Sequence, residues 1–154
     1  MKVLFVCLGN TGRSPMAKAI FEQILKQRGL ENEMSADSAA NSDPSLPYAE
    51  PEAREAIKRY FRMDLLADHI PKSIDSLDLR DFDLVLTMEK DLKRNFPPEK
   101  TYTLKEYAGL KGKFPDLWHK PLDVYLRYID EMKDCLEIII ERILKERGHF
   151  NHSI

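Results

Sequence analysis

The sequence predicts an α/β fold, a parallel sheet covered on both faces, with a short small-residue loop directly after the first strand. Two apolar runs, Val3-Leu4-Phe5-Val6 and residues 82–88 (FDLVLTM), are continuous rather than alternating, as expected of strands buried on both faces. Helical patterns separate the runs, which requires crossover connections and therefore parallel strands. Ligands of such sheets bind beyond the carboxyl ends of the strands, and the first run stops there at Cys7, before Gly9, Asn10 and Gly12.

The elements follow in order. A helix over 15–28 carries Ala17, Ile20, Phe21, Ile24 and Leu25 on one face, with Ser14 as N-cap, Pro15 in its first turn and Gly29 at its stop. Residues 33–36 read as a short strand, and 37–51, with Pro44, Pro47 and Pro51, as loop. A second helix covers 51–62 through Ala53, Ala56, Ile57 and Tyr60. Residues 64–80, broken at Pro71, have room for a short helical turn. After the strand at 82–88 come a helix over 89–95, a stop at Pro97-Pro98, a last short strand at 102–104 and a loop over 105–120. The final helix, 122–146, buries Val124, Ile129, Met132, Leu136, Ile139, Ile140 and Ile143. One domain over 1–148 and a polar tail at 149–154 are expected.

Composition narrows the class. With 43% hydrophobic and 32% charged residues the chain suits a globular protein, and a net charge of −2 provides no basic field for nucleic acid. No apolar run approaches the ~20 residues that span a bilayer, and no secretory h-region precedes the first strand, so a cytoplasmic protein without membrane contact is expected. Cys7 and Cys135 form neither a CxxC pair nor a disulfide framework, which fits that compartment. No clustered Cys, His or acidic residues suggest a metal.

The loop carries the chemistry. Small residues between Cys7 and Arg13 let successive backbone N–H groups converge as an anion nest, and the following helix adds its positive end. Arg13 can grip two phosphate oxygens at once. The same field favours a thiolate at Cys7, a nucleophile facing a bound phosphoryl group. The alternative, a buried cysteine, a turn glycine and a surface arginine, leaves the spacing unexplained. Neither nucleotide pattern fits: Gly9 and Gly12 lack the Gly-x4-Gly-Lys frame, and no Gly-x-Gly-x-x-Gly occurs.

Cleaving a phosphate ester also requires an acid for the leaving oxygen and then a base for water. Asp116 is the best placed carboxylate, after Pro115 in a Gly- and Pro-punctuated loop and near Trp118, whose ring could wall a cleft. An ordinary loop aspartate is the alternative. Asp123 and Asp130 fall on the final helix, where solvated or dipole-facing roles are expected.

Cys7-Leu8-Gly9-Asn10-Thr11-Gly12-Arg13-Ser14-Pro15-Met16-Ala17 resembles the signature of the low-molecular-weight protein-tyrosine phosphatases. The likeness continues through Ser35-Ala36, the strand ending at Met88, Thr103-Leu104-Lys105-Glu106-Tyr107 and Pro121-Leu122-Asp123-Val124-Tyr125. It implies a three-layer sandwich with a four-stranded parallel sheet and helices on both faces, acting on phosphorylated proteins as a monomer with no metal or cofactor. It also implies Cys7 as the nucleophile that forms a cysteinyl-phosphate, and residues 8–14 (Leu8, Gly9, Asn10, Thr11, Gly12, Arg13, Ser14) as the phosphate loop. Asp116 would be general acid and then base. Asn10 would hold the loop backbone and Ser14 the thiolate. Leu8, Thr11 and Trp118 would wall the substrate cleft. His69 matches a histidine that braces the loop, with an ordinary core or surface histidine as the alternative.

Three departures from the family pattern matter. The acid usually sits in Asp-Pro-aromatic, but here in Asp116-Leu117-Trp118, so a looser acid loop is expected. Many members carry a cysteine where this chain has Gly12, so the reversible disulfide that protects the nucleophile should be missing. Cys135 is then a packing residue, and the shortage of cysteines argues against the related arsenate reductases. Thr11 is the third: tyrosine-directed members often have an apolar residue there, whereas protein-arginine phosphatases carry threonine. Phosphotyrosine is the leading substrate and phosphoarginine the alternative. A phosphate-binding module that has lost turnover is a further reading, motivated by Leu117.

Overall fold

The computed structural model describes residues 1–152. Its organising element is β1 (Lys2–Cys7), an inner strand of the sheet with a partner strand on each side. Val3, Phe5 and Cys7 face the larger core, and Leu4 and Val6 the smaller, so both pleat faces are apolar. The chain then turns through the small-residue loop into α1 (Arg13–Gln27), returns as β2 (Ser35–Ala40) and packs back with α2 (Pro51–Phe61). β3 (Leu84–Thr87), β4 (Thr101–Thr103), the single-turn α3 (Leu104–Tyr107) and the long α4 (Leu122–His152) complete it.

All strand pairs are parallel and the order is β2-β1-β3-β4. The connections run outward from β1 in opposite directions, so a crevice opens at the carboxyl ends of β1 and β3. Cys7 stands at its edge, in register with Ala40. α1, α2 and α4 cover one face through Ile20, Phe21, Ile57, Ile129, Met132 and Leu136. Phe21 meets Phe5 edge to face, with ring centroids 5.4 Å apart. The other face is thinner, closed by 3-10 turns at Ile74–Ser76, Leu79–Asp81 and Lys90–Asn95 through Leu92 and Phe96. The expected four-stranded α/β sandwich is thus present, with unequal helical layers.

Gly29 stops α1 as expected. At φ +69° it lets the N–H of Leu30 reach the carbonyl of Leu25, 2.8 Å, while its own N–H reaches Lys26. Other boundaries differ from the sequence reading. Residues 37–40 belong to β2, because pairing with β1 recruits a Ser- and Ala-rich stretch that reads as loop alone. Residues 90–95 wind as 3-10 rather than α-helix, and the expected loop over 105–120 opens with most of α3. α4 continues to His152, past the expected end at 146; of the expected tail, residues 153 and 154 lie outside the described residues.

Candidate active site

The loop after β1 returns to its own thiol. Asn10 adopts the left-handed conformation, φ 54°, which aims its backbone N–H at Cys7 Sγ, 3.2 Å away. The sequence reading makes Ser14 the cap of α1; instead the helix starts two residues earlier than expected, at Arg13, and Ser14 Oγ stands 2.9 Å from Cys7 Sγ. Asn10 Nδ2 donates to that hydroxyl oxygen, 2.9 Å, so the serine proton is free to point at sulfur. A backbone N–H and a hydroxyl thus converge on the one sulfur. No side chain caps α1, and its first-turn amides stay available to an anion beside the thiol.

Asn10 is fully buried and every polar atom it has is bonded. Nδ2 also donates to Ser38 Oγ at 2.9 Å; Oδ1 accepts from Lys72 N at 3.0 Å; its carbonyl meets His69 Nε2 at 2.8 Å. His69 therefore touches the loop backbone. As a partner of a carbonyl, Nε2 is the protonated nitrogen. Burial, above all, holds the His69 pKa below its ordinary value, so the ring is neutral at pH 7.

Arg13, 6% exposed, donates through Nη1 to Glu89 Oε1 and to the Phe114 carbonyl, 3.0 Å. Both bonds use one nitrogen, which leaves the rest of the guanidinium fork to face the cleft. Glu89 was not identified from the sequence; its only signal is its place just beyond β3. The Phe114 contact ties Arg13 to the loop of Asp116. That loop is fastened differently from the expected loosening: Phe114 and Leu117 are buried in the main core, and Tyr128 OH donates to the Pro115 carbonyl, 2.9 Å. Asp116 Oδ1 accepts from Trp118 N, 3.0 Å.

A cleft of about 460 Å³ gathers Cys7, Leu8, Thr11, Arg13, Asp116 and Trp118. Leu8 and Trp118 stand largely exposed at its mouth. A groove of about 520 Å³ beside α1 is larger but contains no thiol. Asp123 pairs with Arg127 on the surface and Asp130 accepts from Tyr60 OH, both away from the cleft as expected. Cys135 is buried, its thiol pushed up to about 12 by burial, which suits packing.

The family model for low molecular weight phosphotyrosine protein phosphatase matches residues 2–148. The chain belongs to that family. A protein-arginine-phosphatase of Bacillus subtilis is 32% identical over 155 residues, covering 96% of this chain and 99% of the relative. The low molecular weight protein tyrosine phosphatase from T. tengcongensis superposes with a TM-score of 0.84 at 38% identity, covering 92% of this chain and 99% of that one. A YwlE arginine phosphatase variant with a phosphorylated active-site serine gives 0.83 at 30% identity, covering 96% and 99%. The phosphatase family thus accounts for the fold and for the loop signature together.

Glu50 lines the same cleft and was missed in the sequence, where it is one of many carboxylates. It sits at the N-cap of α2, yet its carboxylate does not cap that helix. Oε2 accepts from Thr11 Oγ1 at 3.4 Å and Oε1 from Tyr125 OH at 2.7 Å, while Glu50 N donates to the Thr11 carbonyl at 2.8 Å. Burial raises its pKa, and the nearby Asp116 charge adds to the rise. Its position also explains Gly12. A Cβ there would lie 2.4 Å from Glu50 Oε2, so alanine, or the cysteine found in many relatives, would force this carboxylate to move.

Gly12→Ala should therefore cost about 1–3 kcal/mol of stability in urea titration and lower kcat/KM, by overpacking the loop. Glu50→Ala should recover part of both losses in the double variant; strictly additive losses would show that the two sites do not clash. His69 yields a pH dependence. Its folded pKa lies below its unfolded one, so the unfolded state binds the proton first as pH falls below about 6.5. Stability should decline through that range, and His69→Gln should flatten the difference between about pH 7 and 5. Equal slopes in the two proteins would exclude His69 as the source.

Proposed function

We propose that the chain is a phosphoprotein phosphatase working through Cys7, with Arg13 as phosphate clamp and Asp116 as acid and base. The convergence of thiol, guanidinium fork, uncapped helix start and carboxylate on one cleft carries this reading. The Cys7 thiolate attacks phosphorus in line with the leaving oxygen. As the S–P bond forms the P–O bond breaks, and Asp116 gives its proton to the departing side chain. Asp116, now a carboxylate, takes a proton from water; the water oxygen attacks phosphorus, the S–P bond breaks, and inorganic phosphate leaves with the thiolate restored. Arg13 and the loop amides hold the three equatorial oxygens throughout. Every step uses side chains of the chain itself, with no cofactor or metal.

Phosphotyrosine suits the exposed apolar mouth of Leu8 and Trp118, between which an aryl ring could lie. A specific observation supports phosphoarginine as the second reading: the Thr11 hydroxyl stands on the cleft wall, where a guanidino group could meet it. One relative matched nearly end to end is itself a protein-arginine-phosphatase. A reduced thiol is needed in either case, which goes with a cytoplasmic setting, and the reaction requires no second copy.

Mixing with p-nitrophenyl phosphate in EDTA should give a burst of nitrophenolate, and Cys7→Ser should abolish it; turnover surviving that change would overturn the nucleophile. Phosphate binding without turnover in the wild type would support the binding-module reading instead. Asp116→Ala should slow esters with poor leaving groups on the order of 10²-fold. An equal loss on nitrophenyl phosphate would argue against the acid role.

A further inference from the structure

We infer that Glu50 is a specificity-determining residue, which turns Thr11 into a hydrogen-bond acceptor and makes the cleft select a phosphorylated guanidino group over a phosphorylated phenol. This deepens the second reading above and rests on the cleft of Cys7 being the phosphatase site. The first observation is geometric. The Thr11 hydroxyl proton is directed at Glu50 Oε2, while Tyr125 OH occupies Oε1. With its proton so committed, Thr11 Oγ1 turns lone pairs toward the cleft it lines. An N–H of a guanidino leaving group can use them; a phenyl ring cannot. A wall built to receive N–H groups discriminates against an analogue that lacks them, because the acceptor is then stranded.

The second observation is the charge of the cleft. Asp43, Glu50 and Asp116 all line it, against Arg13 as the one cation among its lining residues. Arg13 meets the phosphoryl group, so the remaining carboxylates surround the place of the leaving group. A cationic guanidinium is attracted there, and an aryl phosphate adds only its own negative charge. Glu50 does not touch the reacting atoms; it acts by orienting Thr11 and by its charge. Its burial costs the folded state at neutral pH, because the raised pKa marks a carboxylate that the fold would rather protonate.

The test uses the full chain and two matched peptides, one carrying phosphotyrosine and one phosphoarginine. Glu50→Gln, whose amide can donate to Thr11 and reverse the hydroxyl, should lower the phosphoarginine-to-phosphotyrosine ratio of kcat/KM about tenfold or more. Thr11→Val should lower the ratio similarly, and the double variant should fall no further, since both changes remove one acceptor. Glu50→Gln should also melt no lower than wild type at pH 7. Equal losses on both peptides with a lower melting temperature would assign Glu50 a purely structural role, and additive effects of the two substitutions would overturn its action through Thr11. Wild type that hydrolyses nitrophenyl phosphate and the phosphotyrosine peptide but not the phosphoarginine peptide would overturn this inference alone. Inactivity on all three would overturn the phosphatase reading itself.

Discussion

Asn10 is the constraint on which the site depends. A left-handed backbone at a non-glycine residue is held only when its surroundings over-determine it. Here they do so completely. The backbone N–H goes to the thiol, the carbonyl to His69, the amide nitrogen to Ser14 and Ser38, and the amide oxygen to Lys72. Beside the neighbouring thiol and the first turn of α1, these partners come from β2 and the segment after α2, so two distant parts of the chain shape the loop. Glycine would accept the backbone angle but would lose the side-chain bonds that connect the loop to β2. Asparagine alone meets both needs, because it tolerates this region better than most residues and carries donor and acceptor together.

Arg13 performs the corresponding task between phosphate and acid. Its Nη1 is fixed by Glu89 at the end of β3 and by the Phe114 carbonyl, only two residues before Asp116. Phosphate clamp and acid therefore share one anchor, and displacement of the acid loop would disturb the clamp as well. Leu117 and Tyr128 then bind that loop to the core that α4 forms with the sheet. The missing proline is offset by apolar burial, a side-chain solution to a problem that relatives solve in the backbone. Reacting groups need such positioning, since small misplacements weigh heavily on rate.

Much of this was legible in order along the chain. A continuous apolar strand, a thiol at its carboxyl end and a run of small residues before an arginine describe local geometry, and local geometry is what sequence spacing reports. β2 was read too short because Ser35–Ala40 has weak strand propensity of its own and becomes a strand through pairing with β1. Ser14 was misread for a related reason: serine before a helix usually caps it, and only the folded loop brings the hydroxyl to sulfur. Glu89 and Glu50 were invisible because their partners lie 76 and 39 residues away, and an acidic residue beside a strand end or helix start has no pattern of its own.

Gly12 and Glu50 show how one position can serve only one of two uses. In relatives with a cysteine before the arginine, that thiol can trap the oxidised nucleophile. Here the space that its Cβ would need is filled by a carboxylate oxygen. Restoring the cysteine would displace Glu50, and Thr11 would then lose the partner that orients its hydroxyl. Keeping Glu50 leaves Cys7 without a neighbouring thiol, since Cys135 is sequestered in the core. The carboxylate sets the room left at this glycine, since a Cβ there would meet its oxygen at 2.4 Å. Redox protection and the acceptor wall compete for the same few cubic ångströms, and this chain has taken the wall.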